Sequence, residues 1–163
     1  MGKIACCFGH RDVYKNISDI LSEVIEDLII NKGVTTFWTG GMGEFDSRFG
    51  TAVNSFKRKY PDVTLTLIKP YFSNELNTHK EFYEYRYDGV YIPEELAGVH
   101  PKQAITKRNR WMVENTDYVV SFVYRDFGGA HTAVKYAKRL GKEIIDVNAI
   151  FEDNHTGDCY EFR

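Results

Sequence analysis

Residues 121–147, "SFVYRDFGGAHTAVKYAKRLGKEIIDV", decide the fold of this chain. The first letters continue an apolar run from Tyr118 that is rich in β-branched and aromatic residues, which predicts a strand. Gly128 and Gly129 then open a predicted helix of small residues that stops at Gly141, and "EIIDV" predicts a second strand. A strand, a helix and a strand in this order indicate a βαβ unit with parallel strands.

The same alternation runs through most of the chain. Apolar residues spaced three and four apart between Ile17 and Ile29, with Gly33 as a stop signal, are typical of an amphipathic helix. The predicted strands cover residues 3–8, 34–41, 63–71, 118–124 and 143–147, and the predicted helices cover residues 14–32, 44–60, 101–115 and 129–140. We therefore predict an α/β fold, a Rossmann-like three-layer sandwich with a mostly parallel central sheet.

Length and composition favour one globular domain. The 163 residues, 43% of them hydrophobic, suffice for one core and are too few for two ordinary domains. We assign residues 1–163 to a single domain. Residues 72–98 have weak periodicity, with a polar helix candidate at 75–87 and a short strand candidate at 89–93, and are interpreted as a variable insertion. Residues 148–163 are interpreted as a polar C-terminal tail.

Charge and cysteine usage exclude several classes of protein. The net charge of -2 comes from 21 basic and 23 acidic residues that are interspersed, which argues against nucleic acid as a partner. No apolar run approaches the roughly 18 residues of a membrane span, and no secretory signal opens the chain, so we expect a cytoplasmic protein without membrane contact. The adjacent Cys6 and Cys7, with Cys159 alone, form neither a disulfide framework nor a metal site.

Three predicted strands end in glycine-bearing turns. These turns are "FGHRD" at 8–12, "TGGMGEFD" at 39–46 and "RDFGGAHT" at 125–132. Ligands bind at the carboxyl ends of parallel strands, and helix N-termini offer N–H groups to phosphate, so the turns predict a phosphate cradle. For Gly9 the alternative is a simple bend into the next element. The spacing does not match the dinucleotide fingerprint, which argues against an ordinary NAD-binding domain.

Arg108 and Asn109 lie on the predicted core-facing side of the helix at 101–115. A guanidinium in that position needs an anion or several acceptors, because an unpaired buried charge is costly. We interpret Arg108 as a ligand contact. The alternatives are an ion pair with a carboxylate such as Asp46, or a buried stem whose charged head reaches water. Arg110 points away from that side and is predicted at the surface.

Further polar and aromatic residues follow the predicted strand ends. Carboxylates at 12, 44, 46 and 126 and the imidazoles of His10 and His131 are suited to acid or base chemistry. Asp12 and Asp46 have the alternative role of helix caps. Tyr71 and Tyr124 either stack on a base or ribose or serve as packing residues.

These residues resemble the SLOG superfamily, Rossmann-like domains related to the DNA-processing protein DprA and the LOG phosphoribohydrolases, and within it the small YpsA-like branch of bacteria and phages. The resembling pieces are "CCFGHRD", "GGMGEFD", "KRNRWMVENTDYVVSFVY" and "GGAHTAVKYAKRLGKEI". The resemblance implies a nucleotide-derived ligand at the carboxyl edge of the sheet. The predicted ligand-binding residues are Gly9, His10, Arg11, Thr39, Gly40, Gly41, Met42, Asp46, Tyr71, Arg108, Asn109, Tyr124, Gly128, Gly129, Ala130, His131 and Thr132.

The LOG enzymes carry the signature P-G-G-x-G-T-x-x-E, with a catalytic glutamate and an assisting arginine on the preceding helix. Laid on this chain, the signature falls on residues 127–135 and the arginine falls on Arg108. The glycine pair and Thr132 survive, but Lys135 stands at the glutamate position and His131 replaces a glycine. An ammonium cannot stabilise a positive oxocarbenium-like centre, which argues against LOG-type hydrolysis.

Two functions follow as hypotheses. The first is a module that senses or sequesters a nucleotide-derived small molecule, such as an ADP-ribose-like compound, a cyclic ADP-ribose-like compound or a nucleoside phosphate. The alternative is an N-glycosidase with a rearranged carboxylate, for which Glu44 and Asp46 are the catalytic candidates. A DprA-like DNA-binding partner is a third option, against which the mixed charge argues. We expect a nucleotide-type ligand, no required cofactor, no metal, and, by resemblance, a homodimer.

Overall fold

A six-stranded, all-parallel sheet with the order β4-β3-β2-β1-β5-β6 forms the centre of the molecule. The structure is a computed structural model that describes residues 2–155. The strands are β1 (Lys3–Gly9), β2 (Val34–Thr39), β3 (Thr64–Ile68), β4 (Gly89–Tyr91), β5 (Tyr118–Phe122) and β6 (Glu143–Asp146). The helices are α1 (Ser18–Lys32), α2 (Glu44–Ser55), α3 (Glu75–Thr78), α4 (Lys80–Arg86), α5 (Pro101–Glu114), α6 (Gly129–Arg139) and α7 (Val147–His155), with a 3₁₀ turn at Glu94–Leu96.

Helices cover both faces of the sheet, as predicted for a Rossmann-like three-layer sandwich. One face packs against α1, α2 and α7, and the other packs against α5 and α6. Cys6 and Cys7 on β1 alternate between the two cores, because successive side chains of a strand point to opposite faces. Both are buried free thiols, as expected, whereas Cys159 lies outside the described residues.

Several elements differ from the prediction, and strands β2, β3 and β5 and helix α2 end earlier than predicted. Helix α1 begins at Ser18, and residues 10–17 are a loop whose apolar side chains still reach the core. The helix candidate at 75–87 is broken at His79, which leaves the helical region with φ −117° and ψ 35°. Neither Asp12 nor Asp46 is a helix N-cap residue, because those positions belong to Ile17 and Gly43.

The beginning of the predicted polar tail is a helix. Ile150 and Phe151 of α7 pack against the core beside α1, and Lys15 Nζ donates a hydrogen bond of 2.7 Å to Asn148 Oδ1. Two apolar anchors therefore dock a segment that is otherwise polar in sequence. The remainder of the predicted tail, residues 156–163, lies outside the described residues. Among residues 2–155, no helix has both the length and the apolar character of a membrane span.

Candidate functional site

A cavity of about 340 Å³ opens at the carboxyl edge of the sheet, where β1, β2 and β5 end. Helices α2, α5 and α6 complete its walls. The structure brings together eleven of the predicted ligand-binding residues at this cavity: Gly9, His10, Arg11, Gly40, Met42, Asp46, Arg108, Asn109, Gly128, Gly129 and Ala130. Distant parts of the sequence therefore meet at one edge, as expected for parallel strands.

The N-terminus of α6 is open towards this cavity. Among residues 2–155, the N–H groups of Gly129, Ala130 and His131 have no acceptor, as expected for the first turn of a helix. Gly128 has φ 98°, a conformation that favours glycine, and a Cβ placed on Gly129 would meet no heavy atom within 4 Å. Unpaired N–H groups with free space beside them are the arrangement that anions prefer at helix N-termini.

The turn after β1 has a different role from that of the glycine pair. The carbonyl of Arg11 accepts a hydrogen bond from Glu44 N–H at 3.0 Å, and the carbonyl of His10 accepts one from Phe45 N–H at 3.4 Å. The first turn of α2 is therefore satisfied by protein carbonyls and offers less to an anion than α6 does. Gly9 is in close contact with the Phe45 ring, so its main role is to let α2 approach β1.

We expect Gly9→Ala to destabilise the protein by about 2 kcal/mol, because overpacking a well-packed core costs about 1–3 kcal/mol. The added Cβ would lie 2.3 Å from Cγ of the Phe45 ring, which is buried and cannot move freely. Urea unfolding at neutral pH measures the change. Gly89→Ala is the matched control, since its Cβ meets only Thr66 Cγ2 at 4.0 Å. Equal midpoints for the two variants would contradict this interpretation.

Backbone conformation and close packing require the glycines in the turn after β2. Gly41 has φ 67° and Gly43 has φ 95°, both in the region that favours glycine. A Cβ on Gly43 would lie 2.7 Å from Arg11 Cα, and one on Gly40 would lie 2.9 Å from the Arg108 guanidinium. These three glycines therefore let the β2 turn approach the β1 loop and α5 closely.

Arg108 is 3% exposed, and its guanidinium forms part of the cavity wall. It donates hydrogen bonds to the carbonyl of Ile68 at 2.8 Å, to the carbonyl of Gly40 at 3.4 Å and to Asn109 Oδ1 at 2.9 Å. Burial lowers the pKa of Arg108, and the nearby Asp46 carboxylate opposes that shift. From its predicted position, this guanidinium required either an anion or several acceptors. The structure supplies several acceptors.

Asp46 is a buried carboxylate in the same wall. Its Oδ2 accepts a hydrogen bond from Met42 N–H at 2.9 Å, and its Oδ1 accepts one from Cys7 Sγ at 3.5 Å. Burial raises the pKa of Asp46 to about 6, although the Met42 N–H group and the charge of Arg108 lower it. Burial also raises the pKa of the Cys7 thiol well above its usual range. Near neutral pH the site therefore contains a protonatable carboxyl group beside a neutral thiol.

His10 is held as a neutral imidazole. Its Nε2 accepts hydrogen bonds from the backbone N–H groups of Tyr124 and Arg125, both at 3.1 Å, so the proton of the neutral ring is on Nδ1. Burial, followed by the charges of Arg125 and His131, lowers the pKa of His10. The ring therefore joins the β1 loop to the chain after β5 and helps to shape the cavity.

Positive charge exceeds negative charge around the cavity. Three arginines line it against two aspartates, and the Arg11 guanidinium has no ion pair or hydrogen bond among residues 2–155. Arg125 forms a pair of 3.6 Å with Asp12 and lies over the rings of Tyr124 and Phe127. Because Arg11 is exposed at the mouth and unpaired, it is available to an anionic ligand.

Several predicted site residues lie elsewhere. Thr39 Oγ1 is buried and accepts a hydrogen bond from Gly41 N–H at 3.1 Å, and Thr132 Oγ1 donates one to the carbonyl of Gly128 at 3.0 Å. Glu44 is paired with Arg48. Gly41 and Tyr71 line a second cavity on the other side of Arg108, and Tyr124 and His131 line a third cavity towards β6. Tyr124 packs against the rings of His10, Tyr14 and Phe122, which matches its alternative role.

Lys135, at the position of the LOG glutamate, is exposed and lines the third cavity instead of the first. This position of α6 therefore lies at a different cavity from the one beside the glycine pair. Among residues 2–155, no group of three or more His, Cys, Asp or Glu side chains could hold a metal ion.

Six residues of the cavity wall were absent from the predicted ligand set: Cys7, Phe8, Asp12, Ile105, Arg125 and Phe127. Asp12 and Arg125 occur in the quoted glycine turns and could have been included on that signal. Ile105 lies one helical turn before Arg108, so its place on the same stripe was visible in the sequence. Phe127 is 64% exposed beside the glycine pair and lies in the same quoted turn as Arg125, so the same signal applied to it.

Comparison with known proteins supports the fold. No protein-family model and no curated protein sequence matches this chain. A crystal structure of DNA processing protein A (DprA) from Streptococcus pneumoniae superposes with a TM-score of 0.62 at 14% identity, over 89% of this chain and 50% of that one. The chain has a DprA-like Rossmann fold.

A second DprA structure leads to the same conclusion. The protein from Helicobacter pylori, described with a single-stranded DNA binding mode, superposes with a TM-score of 0.60 at 17% identity, over 89% of this chain and 65% of that one. This chain thus spans half to about two thirds of the length of these DprA proteins. At such low identity the similarity concerns the fold.

Proposed function

We propose that the chain binds a nucleotide or a nucleotide-derived molecule at the carboxyl edge of the sheet, as a sensing or sequestering module. The observation that carries this proposal is the open N-terminus of α6, where the unpaired N–H groups of Gly129 and Ala130 and the free space beside Gly129 face a cavity that also contains the unpaired Arg11. Backbone N–H groups and guanidinium groups are the donors that phosphate prefers in proteins.

Gly129→Ala tests the cradle with little effect on the fold. Gly129 is helical and its Cβ position is empty, so alanine meets no heavy atom and introduces a better helix former in the first turn. We expect AMP and ADP-ribose to bind about tenfold more weakly, since a displaced phosphate loses one charge-assisted hydrogen bond worth about 1.5–3 kcal/mol. Calorimetric titration measures the affinities, with Gly89→Ala as the control.

Two results of this titration would contradict the proposal. If neither AMP nor ADP-ribose binds the wild-type chain, or if Gly129→Ala and Gly89→Ala have equal affinities, the glycine pair does not bind phosphate. A single-stranded oligodeoxynucleotide belongs in the same titration, because the Helicobacter pylori protein with this fold is described with a DNA binding mode. Binding of the oligonucleotide in preference to the mononucleotides would favour the DNA-binding alternative.

A hydrolase is the second candidate, and Asp46 is the observation that favours it. Its carboxyl group lines the cavity with a pKa raised by burial to about 6, which suits a group that donates or accepts a proton near neutral pH. Glu44, the other predicted candidate, is paired with Arg48 and does not line the cavity. Release of free base from AMP by the wild-type chain, abolished in Asp46→Asn, would support hydrolysis.

The finer parts of the sequence interpretation belong to the same proposal. They are the YpsA-like branch of the superfamily, the single nucleotide-binding domain over residues 1–163, the homodimer and the independence of any added cofactor. The motifs "CCFGHRD" and "GGMGEFD", whose residues meet at the proposed site, support the branch and the nucleotide-binding domain, and the homodimer rests on the resemblance alone.

A further inference from the structure

A second cavity of about 340 Å³ lies beside the first, between β3 and residues 72–98. The two cavities share Gly40, Met42, Ile105 and Arg108 as lining residues, so the Arg108 region forms a common wall. A molecule that extends past this wall would contact both. A second cavity therefore adjoins the proposed nucleotide site and extends beyond the predicted phosphate-binding turns.

Aromatic side chains line this second cavity. The rings of Tyr83 and Tyr87 are 6.3 Å apart and inclined by 25°, while Phe82 is 56% exposed and Tyr71 is 44% exposed. Exposed aromatic groups that converge on one cavity are typical of a ligand site, where they offer flat surfaces to a planar group. The insertion at 72–98 supplies most of these rings.

A cation without an acidic partner lies among the rings. Lys69 is half-buried, its Nζ lies 6.0 Å from the centre of the Tyr83 ring, and none of the ion pairs among residues 2–155 includes it. Arg86, in contrast, is occupied, since it donates a hydrogen bond of 2.6 Å to the carbonyl of Ser47. Among the described residues, the second cavity thus combines aromatic walls with a lysine that has no ion pair, and its one lining carboxylate, Glu75, accepts a hydrogen bond of 3.5 Å from the Tyr83 hydroxyl.

We propose that the second cavity binds the aromatic base of the nucleotide whose phosphate binds at Gly128 and Gly129. This inference rests on the proposed function and narrows the ligand class to nucleotides long enough to pass Arg108, such as a nucleoside diphosphate joined to a sugar. Stacking on Tyr71 and Phe82 supplies affinity for the base, because stacking of a base on an aromatic ring tolerates any base. Lys69 attracts the oxygen-rich or anionic part of the ligand.

The test compares ADP-ribose with ribose 5-phosphate, which lacks the base. The double variant Tyr71→Ala/Phe82→Ala should bind ADP-ribose at least about fivefold more weakly, given the value of about 1–3 kcal/mol for stacking of one base. Its affinity for ribose 5-phosphate should be unchanged. Tyr85→Ala is the control, because Tyr85 is on the same helix as Phe82, is 93% exposed and is not among the residues that line the cavity.

The outcomes separate this inference from the proposed function. If ADP-ribose binds in a Gly129-dependent manner and the double variant retains full affinity, the base does not bind in the second cavity and the phosphate site stands. Equal losses for both probes would also overturn the inference, because they would indicate an effect through the neighbouring Arg108. Failure of both probes to bind the wild-type chain would overturn both proposals. Thermal unfolding verifies that the double variant is folded.

Discussion

Arg108→Ala should destabilise the protein by about 4 kcal/mol, the largest effect expected of any single substitution considered for this chain. The change leaves the buried carbonyl of Ile68 without its donor, which costs about 1–3 kcal/mol, and it opens a hole between the two cavities. It also removes a positive charge near Asp46, so the buried carboxylate becomes harder to ionise. Urea unfolding with a linear extrapolation measures the free energy of unfolding.

Arg110→Ala is the matched control for this prediction. Arg110 is exposed on the same helix and lies 5.3 Å from the centre of the Tyr136 ring, so its removal should cost less than about 1 kcal/mol. Arg108→Lys adds a second comparison, because it keeps the charge but lacks the planar fork that contacts several acceptors. If Arg108→Ala and Arg110→Ala unfold at the same urea concentration, Arg108 does not hold the cavity wall.

The sequence was sufficient to predict the sheet and the edge where the candidate site lies. Parallel order follows from the alternation of strand and helix patterns, and the position of Arg108 on the core side of α5 follows from its spacing. Its acceptors could not be predicted, because the carbonyl oxygens of Ile68 and Gly40 come from other parts of the chain and every residue has such an oxygen. Periodicity identifies a buried face but does not identify the partner across it.

The glycine turns illustrate the same limit. All three turns carry glycine at a strand end, yet of the two that lead directly into a helix only the one at Gly128 and Gly129 leaves the helix N-terminus open, because His10 and Arg11 cover the N-terminus of α2. Tyr124 was placed near the ligand because it stands at the end of a predicted strand. The chain after β5 instead turns that ring towards His10 and Tyr14.

Residues 72–98 are folded although their hydrophobic periodicity in the sequence is weak. β4 joins the edge of the sheet by backbone pairing with β3, whereas α3 and α4 bury no residue and polar contacts take the place of an apolar stripe. Asp88 accepts a hydrogen bond of 2.7 Å from Leu65 N–H and pairs with Lys57 at 2.5 Å, and Asn54 Nδ2 donates one of 3.0 Å to the carbonyl of Arg86. Contacts of this kind have no period in the sequence, so the aromatic cavity that they support was not predicted.

Asp46→Asn should stabilise the protein at pH 8 and have little effect at pH 4. Burial raises the pKa of Asp46 from about 3.9 in the unfolded chain to about 6 in the folded one. Between these values the folded state binds the extra proton, so this group lowers the free energy of unfolding as pH rises from about 4 to about 6, and the full penalty persists above pH 6. A shift of roughly two pH units corresponds to at most about 3 kcal/mol.

Asparagine removes the buried charge while its Oδ1 can still accept a hydrogen bond from Met42 N–H. Urea unfolding at both pH values measures the difference in the free energy of unfolding. Glu44→Gln is the control, because Glu44 lies in the same first turn of α2. Its pair with Arg48 is partly exposed and contributes less than about 1 kcal/mol. A variant that is no more stable than the wild type at pH 8 would show that Asp46 carries no such penalty.

The same variant also tests why a destabilising carboxylate lies in the cavity wall. A neutral Asp46 leaves the site more positive, so the affinity of the wild-type chain for AMP should fall as pH rises from about 5 to about 7, as the charge near the phosphate changes by one unit. In Asp46→Asn the affinity should depend less on pH. The phosphate of AMP itself titrates in this range, so ADP-ribose, whose diphosphate does not, is the second ligand to measure. A carboxylate that costs stability and controls ligand affinity would be retained for function, because activity is commonly maintained at the expense of stability.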